Sequence, residues 1–184
     1  QLIGVARSGA IGQIRDVEAC FTRLTPDYLR EMTDAEYGGG FTEFGSHTLL
    51  PILKLMGTDY EEVRFDSILA ENGIDFYTKA SFRYKNGLAL SKSGVGVKSE
   101  GHLVVAGTKG YILAKSPWWL TQSFEVRYED PNKVDKYFTK FLGQGLRYII
   151  SGHEGRSYKF TEEESIAMAG IMEKFMEERV RKRG

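Results

Sequence analysis

The residues best suited to chemistry lie in one stretch, Gly38-Gly39-Gly40-Phe41-Thr42-Glu43-Phe44-Gly45-Ser46-His47. Glu43 and His47 are four residues apart at the start of an apolar, helix-like pattern, and this spacing puts both side chains on one face of a helix. A carboxylate beside an imidazole can transfer protons. The three glycines clear side chains from the backbone, so that a flat ligand or another segment of the chain can approach closely.

Other interpretations of His47 stay open on the residues alone. A single histidine in a folded domain often has a purely structural role. A Glu-x-x-x-His pair also supplies half of a zinc site, but zinc needs a third and usually a fourth ligand. His102, His153 and Cys20 have no partner at ligand spacing. We therefore predict no metal site, and an acid–base role of His47 stands beside a structural one.

The stretch resembles the signature of the Gfo/Idh/MocA family, NAD(P)-dependent oxidoreductases that act mostly on sugars, cyclitols and their derivatives. It has the pattern Gly-Gly-Gly-x-x-acid-x-Gly-x-His, followed by an apolar helix that ends at Gly57. Residues 8–17, 105–112 and 164–166 resemble further parts of the family in the same order. The family's acidic residue is usually Asp, and Glu43 carries its carboxylate one methylene group farther from the backbone.

The resemblance implies a role for each of these residues. His47 is the expected base, which takes a proton from a secondary hydroxyl group while the hydride passes to a nicotinamide. Glu43 is expected to hold an adjacent hydroxyl group or to orient the imidazole. Gly38, Gly39 and Gly40 are expected to lie near the substrate or cofactor. The cofactor would be NAD or NADP, and the substrate a sugar, a cyclitol or a related derivative.

The family's dinucleotide-binding half has no counterpart in this sequence. No Gly-x-Gly-x-x-Gly turn joins a strand to a helix, and the family's Glu-Lys-Pro motif is absent. We therefore expect residues 1–10 to end a helix that leads in from that half. Residues 11–184 would form the C-terminal substrate-binding and oligomerisation domain, which should be inactive alone. The alternative is a non-catalytic sheet domain for ligand binding or oligomerisation only, which the change from Asp to Glu43 favours.

Apolar residues recur every second residue in some segments and with the period of an α-helix in others, and this combination predicts an α+β fold. Clean alternation in neighbouring strands favours antiparallel pairing with one buried face. Strands are expected over residues 14–24, 62–69, 75–85, 88–92, 102–106, 111–114 and 123–128. Helices are expected over residues 41–56, 135–150 and 161–182, the last with the capping box Thr161-x-x-Glu164. The resemblance implies the same architecture, a large, mostly antiparallel open sheet with helices packed on one face, as in dihydrodipicolinate-reductase-like domains.

The composition of the chain limits the kinds of binding partner and the cellular location that we expect for it. The chain of 184 residues has 25 Lys and Arg against 25 Asp and Glu, so no field attracts a polyanion and we expect no nucleic-acid binding. No apolar run approaches the roughly 20 residues that span a bilayer, so we expect no membrane association. A single cysteine excludes an internal disulfide and suits a reducing cytoplasm.

A homo-oligomer is expected through the open face of the sheet. The resemblance implies it, because family members commonly pair these sheets face to face. The aromatic residues of the strands give an independent physical reason, although core packing would explain them equally well. They include Phe82, Tyr84, Trp118, Trp119, Phe124 and Tyr128. Trp118 and Trp119 could instead line the substrate cleft.

Overall fold

The computed structural model describes residues 1–120, 122–138 and 160–183. The helices in these ranges are α1 (Leu2–Arg7), α2 (Arg30–Thr33), α3 (Gly40–Met56) and α4 (Glu162–Arg183). The strands are β1 (Ile14–Thr22), β2 (Glu62–Leu69), β3 (Asp75–Tyr84), β4 (Gly87–Gly94), β5 (Leu103–Gly107), β6 (Tyr111–Ala114), β7 (Ser123–Arg127) and β8 (Val134–Phe138). A short 3-10 helix covers Trp118–Leu120. Within the same ranges, no helix has the length and apolar character needed to cross a bilayer.

All eight strands form one sheet in the order β2-β3-β4-β1-β5-β6-β7-β8. The central pair β1 and β4 is parallel, and every other neighbouring pair is antiparallel. α3 and α4 pack on one face of this sheet. The predicted α+β fold, with a mostly antiparallel open sheet and helices on one side, is confirmed.

The core lies between α3 and the central strands. Val17 on β1 is opposite Ala89 on β4 and Val105 on β5, and all three side chains are buried. α3 contributes Phe41, whose ring centroid is 4.7 Å from that of Phe175 on α4. Full burial of one such aromatic or branched side chain contributes roughly 1.5–3 kcal/mol to stability. The core therefore fixes how α3 lies across the sheet.

Close backbone contacts set the position of α3 along the sheet. Gly40 at its start lies on Gly94 at the end of β4, where a Cβ on Gly40 would be 2.7 Å from the Cα of Gly94. Gly87 at the start of β4 approaches the last residue of α3, Met56. α3 thus runs antiparallel to β4. Its first turn lies at the carboxyl ends of the two parallel strands.

The helix predicted over residues 135–150 is wrong at its start. Residues 135–138 belong to β8, which pairs antiparallel with β7, and the rest of that prediction lies outside the described residues. The rings of Phe124 and Tyr137 stack across the two strands, with centroids 4.7 Å apart and planes 4° from parallel. A turn closed by the Lys133 amide, which donates to the Asp130 carbonyl at 3.0 Å, reverses the chain before β8.

Core packing accounts for four of the aromatic residues that suggested pairing through the open sheet face. Phe82, Tyr84 and Phe124 lie on the helix-covered side and are buried. Trp118 is buried as well, and its indole N–H donates to the Cys20 carbonyl at 2.9 Å. These aromatic side chains stabilise the core. They contribute nothing to the face that carries no described helix.

Candidate active site

The candidate site lies at the first two turns of α3, where β1 ends. Glu43 and His47 are both on this uninterrupted helix, so the predicted common face is available to them. Neither side chain belongs to the hydrophobic core. Phe21 of β1 approaches His47 from the sheet, with ring centroids 4.8 Å apart.

Glu43 is held by a charged partner that the sequence did not suggest. Its carboxylate accepts a hydrogen bond from the guanidinium of Arg30 on α2. The Glu43 side chain is 18% exposed and that of Arg30 is 58% exposed. No hydrogen bond joins Glu43 to His47 in the part of the chain that the structure describes. The carboxylate is therefore positioned by α2, in an orientation set independently of the imidazole.

The imidazole of His47 is half-buried among aromatic rings. Its Nδ1 is 3.5 Å from the hydroxyl of Ser46, and the ring of Phe44 is 6.3 Å away between centroids. Burial lowers the pKa of His47 below its ordinary value, because the charged imidazolium loses hydration. The neutral ring, which can accept a proton, is then the prevailing form at neutral pH.

Aromatic side chains extend the site away from His47. The Phe21 ring is 4.1 Å from that of Trp119 and 4.8 Å from that of Phe44, measured between centroids. Arg23 lies above the Phe44 ring at 5.8 Å. We call Phe21, Phe44 and Trp119 the aromatic wall. Aromatic faces of this kind can pack against the apolar C–H surface of a ring-shaped ligand.

The space beside the three glycines at the start of α3 is filled by the chain itself. A Cβ on Gly38 would lie 2.5 Å from the carbonyl of Asp34, and one on Gly39 would overlap the carboxylate of Asp75. Gly40 contacts the last residue of β4. Close approach by another segment of the chain therefore accounts for all three. Their nearness to substrate or cofactor stays a prediction.

Asp75 and Arg179 form a buried ion pair beneath this turn. Their side chains are almost completely inaccessible to solvent, with Arg179 Nη1 3.5 Å from Asp75 Oδ1. Asp75 Oδ2 also accepts the Phe41 amide at 2.6 Å and the Thr78 hydroxyl at 2.8 Å. Burial raises the pKa of Asp75 to about 6, against the opposing effect of these donors and the guanidinium. The carboxyl group is therefore mainly ionised at neutral pH.

Sequence comparison decides the family. The profile of the GFO/IDH/MocA C-terminal domain matches residues 2–113, which is more than half of the chain. The chain belongs to the GFO/IDH/MocA family. A comparison with curated proteins finds no relative.

Solved structures agree with the GFO/IDH/MocA fold. KijD10, a 3-ketoreductase from Actinomadura kijaniata in complex with NADP and TDP-benzene, superposes with a TM-score of 0.71 at 17% identity, covering 94% of this chain and 56% of KijD10. An oxidoreductase candidate from Klebsiella pneumoniae gives 0.63 at 16% identity, covering 94% and 54%. The probable oxidoreductase yhhX gives 0.66 at 20% identity, covering 96% and 58%. This GFO/IDH/MocA domain spans a little over half the length of these proteins.

Sequence reasoning located the two candidate groups of this GFO/IDH/MocA domain but missed the residues that hold them. Arg30 is 13 residues from Glu43, and Arg179 is 104 residues from Asp75. No local pattern connects either pair. The described residues contain no group of three or more His, Cys, Asp or Glu side chains arranged to hold a metal ion.

Proposed function

We propose that this chain is the substrate-binding domain of an NAD(P)-dependent oxidoreductase. The reaction would transfer a hydride between the nicotinamide and a secondary hydroxyl group of a sugar, a cyclitol or a related derivative. One observation carries the proposal. His47, an imidazole whose pKa is lowered by burial, stands at the start of α3 beside Glu43 and the aromatic wall.

His47 would act as the base in the oxidation. The neutral ring would accept the hydroxyl proton of the substrate, and proton transfer by a well-placed group contributes roughly 10²–10⁴ in rate. Glu43, held by Arg30, would accept a hydrogen bond from a neighbouring hydroxyl group and so orient the substrate carbon. The aromatic wall would pack against one face of the substrate ring and reduce the access of water. A nicotinamide bound beside this site would supply the hydride acceptor.

The dinucleotide would be held mainly outside this domain. The Gly38–Gly40 turn offers no cradle for a pyrophosphate, because the space beside its glycines is occupied by Asp34, Asp75 and Gly94. The chain alone should therefore have essentially no activity. KijD10, which shares the fold, is in complex with NADP, and this supports a nicotinamide cofactor without distinguishing NAD from NADP here.

The test uses the parent enzyme, by which we mean the full-length protein that contains this domain. Reduction of NAD and NADP is followed with a panel of free sugars, cyclitols and nucleotide-linked sugars. With an active substrate, His47→Asn should lower turnover at least about a hundredfold and leave dinucleotide affinity nearly unchanged. Parallel loss of turnover and dinucleotide affinity would show that His47 is structural.

A non-catalytic ligand-binding or oligomerisation domain is the second candidate. The observation in its favour is that Glu43 is neutralised by Arg30 and makes no hydrogen bond to His47 within the described residues. Lack of turnover with the whole panel, together with binding of a sugar by the isolated domain, would favour this candidate. A cytoplasmic location stays a prediction on either account.

We further propose that two copies of the domain pair through their open sheet faces. This face carries apolar side chains between charged ones, among them Leu88, Leu90, Val104 and Leu113. Its centre carries an ion cluster in which the Glu18 carboxylate pairs with Lys92 and lies 2.8 Å from His102 Nε2. Pairing the two sheets would remove the apolar side chains from water at roughly 25 cal/mol per Å² before the costs of association.

A further inference from the structure

Arg179 of α4 reaches across to the turn that precedes α3. Its guanidinium donates to the carbonyl of Gly38 at 2.5 Å and to the carbonyl of Glu36, which lies between α2 and α3. It also lies 3.3 Å from the hydroxyl of Thr42 and pairs with Asp75. One side chain from the end of the chain thus contacts the connection between α2 and α3, the first turn of α3, and β3.

Asp75 supplies the cap that α3 lacks in its own sequence. The residue before the helix is Gly39, which has no side chain to accept the free amides of the first turn. Instead, the carboxylate of Asp75 on β3 accepts a hydrogen bond from the amide of Phe41 in the first turn of α3. Because this carboxylate is buried, it depends on Arg179 for its neighbouring positive charge. Removal of one partner from a buried ion pair is strongly destabilising, because the remaining charge is left buried without compensation.

We propose that Arg179 is a positioning residue for Glu43 and His47. By holding the connection between α2 and α3, it fixes the helix face that carries both groups and the position of α2, which carries Arg30, the partner of Glu43. The catalytic meaning of this role rests on the proposed function. The positioning itself is a property of this chain.

A second buried ion pair provides a matched control. Lys54, in the last turn of α3, pairs with Glu164 in the first turn of α4 at 2.5 Å, and their side chains are 5% and 13% exposed. The Lys54–Glu164 pair joins α3 and α4, as Arg179 also does, but at the opposite end of α3. At about 1.5 Å per residue, Lys54 lies roughly 16 Å along the helix axis from Glu43. Loss of this pair should loosen the contact between the helices and leave the site in place.

The imidazole titration of His47 distinguishes positioning from general stability. NMR follows the histidine rings of the 184-residue chain, and the His47 signal is assigned by its loss in His47→Gln. Arg179→Gln should let the start of α3 hydrate, so that the pKa of His47 rises toward its ordinary value, because burial is what lowers it. Arg179→Lys, which keeps the charge but loses the planar fork of donors, should give a smaller rise. Glu164→Gln should leave the His47 titration unchanged.

An unchanged His47 titration in folded Arg179→Gln would overturn the proposal. An equal rise in Glu164→Gln would overturn it too, because both ion pairs would then act only through overall stability. If Arg179→Gln does not fold, Arg179→Lys decides by the same criterion. Turnover plays no part in this measurement, so failure of the oxidoreductase proposal and failure of the positioning role remain distinguishable.

Discussion

Substitutions of the two glycines at opposite ends of α3 distinguish the cost of backbone strain from the cost of side-chain overlap. Gly39 has φ +114° and Gly57 has φ +89°, and a residue with a Cβ costs roughly 1–3 kcal/mol in such conformations. A Cβ on Gly57 would meet nothing within 4 Å, whereas one on Gly39 would overlap the buried carboxylate of Asp75.

Gly39→Ala should therefore destabilise the chain far more than Gly57→Ala does. We expect the free energy of unfolding to fall by at least about 2 kcal/mol more for Gly39→Ala, because the buried carboxylate and its hydrogen bonds must shift. Urea denaturation of both variants measures the difference. Equal losses would mean that the Gly38–Gly40 turn yields easily, and that the contact with Asp75 does not fix the start of α3.

At the same scale, the sequence could predict the two candidate groups, Glu43 and His47, but not the residues that support them. Glu43 and His47 share a helix, so their four-residue spacing is enough to place them on one face. The Arg30 contact depends on how the short α2 folds back, and the Asp75–Arg179 pair depends on the packing of β3 against α4. Such contacts follow from tertiary structure and leave no periodic trace in the sequence.

At the scale of elements, strands β1 to β7 were predictable because each has one buried and one more open face. The hairpin between β3 and β4 is marked by Asn86-Gly87, and the register from Phe82 opposite Ala89 onward follows that turn. The capping box of α4 is confirmed, with the Thr161 amide donating to Glu164 Oε2 at 2.8 Å and the Glu164 amide to Thr161 Oγ1 at 3.1 Å.

The sequence pattern did not predict β8, because its residues fit the period of a helix as well as that of a strand. Tyr137 and Phe138, followed by later apolar residues, resemble a helical stripe when residues 135–150 are viewed alone. The turn over residues 130–133 and the cross-strand stacking of Tyr137 on Phe124 favour a strand instead. Which alternating face of β3 turns toward the helices was likewise undecidable from alternation, and it is the face of Phe82 and Tyr84.

At the scale of the whole molecule, oligomerisation can be tested with two variants, each of which places one charge on one side of the domain. Leu88 is 58% exposed on the open sheet face, and Ile166 is 65% exposed on α4. A specific interface should bury more than about 1,000 Å² in total, with the same strands offered by both copies. Leu88→Glu should therefore give folded monomers in sedimentation experiments, while Ile166→Glu should sediment as the unmodified chain does.

Two results would contradict pairing through the sheet. One is a monomeric unmodified chain at high micromolar concentration. The other is dissociation by Ile166→Glu but not by Leu88→Glu, which would move the interface to the helix side.

The pH dependence of turnover in the parent enzyme tests the central claim most directly, that His47 is the base. Only the neutral imidazole accepts a proton, so the rate of alcohol oxidation should rise with pH through the pKa of His47 and then level off. Because burial lowers the pKa of His47, the midpoint of this rise should lie below the ordinary value of about 6.5. His47→Gln should abolish the rising limb of the pH profile along with most of the activity. A limb that persists unchanged in His47→Gln, or a rate that falls with rising pH across this range, would contradict the account.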